Sequence, residues 1–174
     1  MRDDNSSISF EETFLPHLDA AYNLARWLTR DPSDAEDVVQ EAYMRALRFF
    51  NGFHGGDGRS WILKIVRNTC YTWLQKNRPR EVVYDVDLDL HEVGTSGPEE
   101  ALIESLDKQL LARLLSELPP AFREVVVLRD IEGMSYKEIA AVTEQPLGTV
   151  MSRLARARQK LQADAGTEPV GASR

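Results

Sequence analysis

Apolar residues recur along most of this chain at helical spacing. Phe14, Leu18, Ala21, Tyr22, Ala25 and Leu28 follow one another at three- and four-residue steps, which aligns them on one side of a helix. Asp31-Pro32-Ser33 interrupts that run, and Pro32 suits the first turn of the next helix. The second helix carries Ala35, Val38, Val39, Ala42, Tyr43, Ala46, Leu47 and Phe50 on one side. Residues 51–58 include four glycines and read as a loop. A third helix is predicted over about 60–77, ending before Pro79, with a buried stripe of Trp61, Ile62, Ile65, Val66, Thr69 and Trp73.

The periodicity then changes. "YDVDLDLHEV" alternates acids with aliphatics, which fits a short edge strand or an acidic, partly disordered tether. The tether is favoured, because no partner strand is evident and the stretch leads into "GTSGP". Helical spacing returns over 102–118, 122–129, 136–142 and 147–161, and the residues after Ala163 read as a frayed tail. The expected fold is all-α: two small helical domains joined by an acidic linker. The boundaries read as 10–80 for the first domain, 81–100 for the linker, 101–162 for the second domain and 163–174 for a flexible tail.

Composition narrows the function classes. The chain has 174 residues, 43% hydrophobic and 28% charged, as one or two small soluble domains require. It has no apolar run long enough to cross a bilayer, so no membrane insertion is expected. The opening "MRDDNSSISFEE" is acidic, unlike a secretory signal. A lone cysteine, Cys70, rules out an internal disulfide and favours a reducing cytoplasm. His17, His54 and His91 lie too far apart for a zinc motif, so neither a metal nor a cofactor is expected.

The net charge of −7 argues at first against nucleic acid, but the charge is segregated. From Gly58 to Arg80 there are six cations and no acid; from Glu81 to Asp107 there are nine acids and no Lys or Arg. Without that acidic block the remainder is slightly basic.

Two stretches carry candidate nucleic-acid chemistry. Ser135-Tyr136-Lys137-Glu138 fits a capping box, residues 143–146 form a turn, and a second helix follows with no acid between Glu144 and Gln162. Leu147, Val150, Leu154, Ala157 and Leu161 should share its buried face. Thr149, Ser152, Ala155, Arg156 and Gln159 should point the other way, flanked by Arg153 and Arg158. Small residues bordered by guanidinium groups suit a helix in a major groove. A basic surface helix that touches nothing is the bland alternative; the tight turn and the cap favour DNA. On the third helix, Lys64, Arg67, Tyr71 and Arg78 form the polar side, and "FNGFHGGDGR" adds Phe53 and His54. Cations with an exposed aromatic suit single-stranded DNA and an extruded base, but a half-buried tyrosine among solubilising cations fits this stretch equally well. Trp61 and Trp73 read as core, and Cys70 as a small helix residue rather than a redox switch.

The second helix sets Asp34, Asp37, Gln40 and Glu41 along its polar side. These suit a solvated face or a dock for a basic protein. Paired catalytic carboxylates rank last, since no nucleophile or histidine converges on them, so the chain is not expected to be an enzyme.

Together these stretches resemble the extracytoplasmic-function (ECF) class of bacterial RNA polymerase sigma factors. "DAEDVVQEAYMRAL" is similar to the family's core-polymerase-binding helix, and "SWILKIVRNTCYTWLQKNRPR" to its promoter-melting, minus-ten-reading helix. "LPPAFREVVVLRDIEGMSYKEIAAVTEQPLGTVMSRLARARQKL" resembles its minus-thirty-five-reading domain. The resemblance implies a sigma region 2-like bundle and a sigma region 4-like helix-turn-helix, and a subunit that gives core RNA polymerase its promoter choice. It places Asp34, Asp37, Gln40 and Glu41 against core polymerase. It places Phe53, His54, Lys64, Arg67, Asn68, Tyr71 and Arg78 against the melted non-template strand. It sets Arg129, Tyr136 and Lys137 on duplex phosphates, and Thr149, Ser152, Arg153 and Arg156 in the groove.

The acidic linker would occupy the channel later used by RNA, and an anti-sigma factor fits the class although no residue identifies one. A stand-alone helix-turn-helix regulator is the alternative. This sequence departs from the family pattern at Met151, where Lys or Arg is common, and at Glu144, in a turn that often has glycine. Its loop is also unusually rich in glycine at Gly55, Gly56 and Gly58.

Overall fold

The computed structural model describes residues 9–82 and 107–167. Most of the expected acidic linker and the last residues of the tail therefore lie outside the described residues. Every regular element among the described residues is helical.

The first half is built from α1 (Phe10–Phe14), α2 (Leu18–Thr29), α3 (Pro32–Phe49) and α4 (Gly58–Asn77). The stripe expected to run unbroken from Phe14 to Leu28 is divided by a 3-10 turn at Leu15–His17. Pro16 is the cause, because it has no N–H to donate to the preceding turn. Phe14 is buried at the end of α1, whereas Leu18 is largely exposed. At the far end of α2, Arg30 adopts a left-handed conformation (φ 60°) and donates its N–H to Arg26 O at 2.9 Å. Asp31 then caps α3, accepting from the Asp34 N–H at 3.0 Å, with Pro32 at the first position. Asp57 caps α4 in the same way through the Ser60 N–H at 3.2 Å.

Helices α2, α3 and α4 pack on one another as a three-helix core. The stripe of α4 is turned from the expected one. Ile62, Leu63, Val66, Thr69, Cys70 and Leu74 are buried, while Trp61, Ile65 and Trp73 are half-buried. Apolar residues occupy more than half the circumference of this helix, so periodicity alone did not fix the phase. Leu47, expected on the buried side of α3, is exposed.

Burial pushes the Cys70 thiol pKa well up, and the nearby Glu124 carboxylate pushes it the same way. Native protein at pH 8 should therefore resist iodoacetamide, and alkylation measured by mass should appear only on unfolding.

The second half contains α5 (Lys108–Glu117), α6 (Pro120–Val126), α7 (Tyr136–Thr143) and α8 (Leu147–Thr167). The helix expected to run straight over 122–129 instead widens into a π turn at Val127–Ile131, with the Glu132 N–H on Val127 O at 3.0 Å. Helix α8 continues past Ala163, where fraying was expected. The cap at Ser135 is half of the expected box: Ser135 Oγ accepts from the Glu138 N–H at 3.1 Å, but the Glu138 carboxylate pairs with Arg59 instead. Glu144 ends α7 at φ 54°, the left-handed geometry that a glycine would take without strain. The left-handed turn is made here with a carboxylate side chain.

The halves share one apolar core, with α4 lying against α7 and α2 against α6. Arg123 on α6 fastens that junction from inside. Its guanidinium is almost fully buried and donates to Trp27 O (2.7 Å) and Leu28 O (3.3 Å) at the end of α2. It also donates to Leu115 O (3.1 Å) in the last turn of α5 and to Leu118 O (2.8 Å) just beyond it. Cationic donors at helix C-termini satisfy carbonyls that would otherwise be orphaned.

Candidate polymerase and nucleic-acid interfaces

The acidic side of α3 faces solvent. Asp37, Gln40 and Glu41 are exposed and Asp34 is half-buried. Together with Met44, Arg45 and Arg48, the first three line a shallow hollow, and Glu41 pairs with Arg45 one turn on. Sequence reasoning missed what lies beside them: Met44 and Leu47 are exposed, to 56% and 58%. An acidic rim beside an apolar ridge is a surface suited to a protein partner.

The loop before α4 is less open than expected. Phe53 is half-buried in an aromatic cluster, its ring 5.2 Å from Phe14 and 5.3 Å from Trp61. His54 is exposed, and Gly55 and Gly56 take φ values of 91° and 98° that favour glycine. Gly58 sits where an added Cβ would lie 2.9 Å from Thr13 Cγ2. Backbone geometry and close packing therefore account for three of the loop's glycines.

The polar side of α4 does not face solvent as a bare cationic surface, because the second half covers it. Arg67 makes a two-pronged contact with Glu124 of α6, Nε to Oε2 at 2.8 Å and an η nitrogen to Oε1 at 3.0 Å. Glu124 is fully buried and the Arg67 side chain is 14% exposed. Burial alone would lower the Arg67 pKa, but the Glu124 carboxylate outweighs it and raises the pKa further. Lys64 Nζ meets Glu144 Oε1 at 2.6 Å, which lowers the Glu144 pKa through the hydrogen bond and the charge. Arg59 meets Glu138 Oε2 at 2.8 Å. Arg67 also lies over the Tyr71 ring at 4.0 Å, and Arg78 over Trp73 at 5.1 Å. Of the residues expected on the melted strand, Asn68 and His54 are the exposed ones.

The helix-turn-helix is present, with α7 and α8 packed together. Its outer surface differs from the expected strip. Arg153 is only 7% exposed, and Ala155 and Arg158 are also buried. Arg158 pairs with Asp130 of the π turn at 3.0 Å; that carboxylate raises its pKa against the opposing effect of burial. α8 is packed by α5, α6 and α7, so its covered arc is wider than one stripe. Leu147, expected inside, is in the first turn and exposed. The outward residues are Leu147, Gly148, Met151, Gln159 and Lys160, with Thr149, Ser152 and Arg156 half-exposed. Ser152 Oγ bonds back to Thr149 O at 3.1 Å. On the approach side, Lys137 is exposed, while Arg129 donates to Met134 O at 2.9 Å and lies over the Tyr136 ring at 4.6 Å.

Residues 13–80 match the Sigma-70 region 2 family and residues 108–161 match Sigma-70, region 4. The ECF RNA polymerase sigma-E factor of Escherichia coli is 35% identical over 137 residues, covering 74% of this chain and 72% of that protein. The chain belongs to the ECF sigma factor family. The ECF RNA polymerase sigma factor SigE of Mycolicibacterium smegmatis is 36% identical over 155 residues, 88% of this chain and 60% of that longer relative. Among solved structures, the sigma factor RpoE of Bartonella quintana, in complex with the anti-sigma factor NepR, is similar with a TM-score of 0.68. It is 33% identical, with 92% of this chain and 98% of that chain covered. CnrH in complex with the cytosolic domain of CnrY gives a TM-score of 0.64 at 27% identity, covering 92% and 89%.

As an ECF sigma factor, the protein serves transcription initiation. Among the described residues no helix is long and apolar enough to cross a membrane.

Proposed function

We propose that this sigma factor binds core RNA polymerase through α3, reads the minus-ten element with its first half and the minus-thirty-five element with its second. The observation that carries the proposal is the pairing of two unlike surfaces on one chain. The exposed acidic and apolar side of α3 suits a protein; a helix-turn-helix flanked by Lys137, Arg156 and Lys160 suits duplex DNA. Asp34, Asp37, Gln40 and Glu41 would dock on polymerase, helped by Met44 and Leu47. Phe53, His54, Lys64, Arg67, Asn68, Tyr71 and Arg78 would hold the melted strand. Arg129, Tyr136 and Lys137 would position the duplex, with Thr149, Ser152 and Arg156 in the groove; Arg153, being buried, would seat α8 and not touch a base.

The working units would be 10–80 and 101–162, with 81–100 as the linker and 163–174 as an appendage. The chain would catalyse nothing itself. The similarity to a sigma factor solved in complex with an anti-sigma factor supports an anti-sigma factor as a further partner.

Arg156→Ala should weaken holoenzyme binding to a minus-thirty-five duplex by about 1–3 kcal/mol, the range for one good base contact. Equal affinity of the two holoenzymes in a filter-binding titration would remove Arg156 from the groove. A gel shift of the chain alone separates the proposal from a stand-alone regulator, for which strong specific binding without polymerase is expected.

A further inference from the structure

Two large apolar side chains at the front of α8 stand in solvent rather than in the core. Leu147 and Met151 lie one helical turn apart, and each leaves about half of its surface uncovered. Gly148, between them in sequence, is exposed, and a Cβ added there would meet no described atom within 4 Å. We infer that Leu147 and Met151 read the C5-methyl groups of thymine in the major groove of the minus-thirty-five element. This inference rests on the function proposed above and adds to it the chemistry of the bases read.

Hydrogen-bond donors are scarce over the first turns of this helix. Leu147, Gly148 and Met151 carry no side-chain N–H or O–H, and the Ser152 hydroxyl donates to Thr149 O at 3.1 Å. The N-terminal residues of a recognition helix are the ones that reach base edges, so readout at this end of α8 rests largely on apolar contact. Thymine is the base that presents a methyl group in the major groove. Packing that methyl on Met151 removes two apolar surfaces from water at once, and the unbranched thioether chain adapts its shape to the contact. Gly148 and Ser152 add little bulk, which lets the helix backbone come close to the groove floor.

The surroundings point to DNA as the occupant. No acid occurs from Leu147 to Gln162, and Lys137, Arg156 and Lys160 on α7 and α8 are exposed or half-exposed. An apolar pair on a cationic helix-turn-helix fits a duplex whose phosphates meet the cations. A single exposed apolar residue calls for no partner, but two neighbours on a recognition helix form a continuous patch.

The test uses holoenzyme made from core RNA polymerase and the full-length chain, with fluorescein-labelled duplexes that carry the upstream element of fragments it transcribes. Replacing each thymine of that element in turn by deoxyuridine removes one methyl and leaves the base pairing unchanged. Binding should weaken by about fourfold at one or two positions, the worth of one buried methylene converted to affinity. Holoenzyme carrying Leu147→Ala/Met151→Ala should be insensitive to deoxyuridine at those same positions. It should also keep the slope of log affinity against log salt, whereas Lys137→Ala, on a phosphate, should reduce that slope by about one. Both apolar side chains lie outside the core, and the deoxyuridine series alters only the DNA, so misfolding does not confound the result.

Unchanged affinity for every deoxyuridine duplex overturns the methyl reading. Equal deoxyuridine sensitivity of the unmodified and double-alanine holoenzymes does so too, as does an upstream element without A·T pairs. Weaker transcription by the double variant without any deoxyuridine effect would assign the pair to a protein partner and overturn it likewise. Specific duplex binding alongside any of these results rejects only the methyl reading. No specific binding to any fragment rejects the underlying function, and this inference with it.

Discussion

Arg123→Ala should lower the unfolding free energy by about 3–5 kcal/mol, the range for removing one partner of a buried charged network. The guanidinium donates to four backbone carbonyls, drawn from both halves. A hydrogen bond to a charged group contributes about 1.5–3 kcal/mol, and each buried carbonyl left without a donor costs about 1–3 kcal/mol. Opposing this, burial and the neighbouring Arg30 push the Arg123 pKa down to about 10, so the charge itself is held at some cost. The group nonetheless remains charged at neutral pH. Loss of the bonds outweighs relief of that cost, because four backbone carbonyls lose a charged donor at once. Arg123→Lys keeps the charge but not the planar fork, and should recover only part of the loss. Urea unfolding followed by circular dichroism measures both; a change below about 1 kcal/mol for the alanine variant would contradict this role for the guanidinium.

Phe14→Ala should be about as damaging, at about 3–5 kcal/mol for a fully buried ring. Phe14 is the centre of the aromatic cluster that fixes the loop before α4: its ring lies 4.9 Å from Trp61, 5.0 Å from Phe10, 5.2 Å from Phe53 and 5.9 Å from Phe50. Its carbonyl also accepts from the Tyr43 hydroxyl at 2.9 Å, and burial raises the pKa of that phenol to about 12. The loop would therefore lose its support together with the core. Thermal unfolding should show the loss, and Trp61 fluorescence should shift to the red as its stacking partner disappears. Phe14→Leu keeps most of the apolar volume and should be milder. An alanine variant as stable as the parent would mean that the cavity collapses freely, contrary to a cluster of interlocked rings.

The elements were legible in the sequence where local chemistry dictates them. Asp31, Asp57 and Ser135 all sit at helix starts, and Pro32 occupies the first turn that its fixed φ favours. The helix-turn-helix followed from a serine cap, a short turn and a run without acids. Positions set by neighbours in space were not legible. Glu124 lies in an apolar run, and nothing local signals that its partner is Arg67, 57 residues earlier. Arg153 and Arg158 look like groove-facing cations on a helical wheel, yet packing by three other helices turns both inward. The acidic α3 surface was visible as a charge pattern, but its apolar half was not. Leu47 follows the buried spacing and is exposed because none of the described elements covers that part of α3. The polarity of a helix face is written in the sequence; the identity of what covers it is not.

These assignments converge on one physical picture. Carboxylates pair with the cations of α4 and would serve on α3 as contact points for polymerase, while guanidinium groups fasten the fold at Arg123 and would meet DNA at Arg156. The central claim is that the chain directs core polymerase to promoters. Run-off transcription with purified core RNA polymerase and this chain, on a library of genomic fragments, measures it directly. Discrete transcripts from a small set of fragments, absent with core enzyme alone and abolished by Asp37→Arg/Glu41→Arg, are the predicted result. Transcription indistinguishable from that of core enzyme alone across the whole library would contradict it.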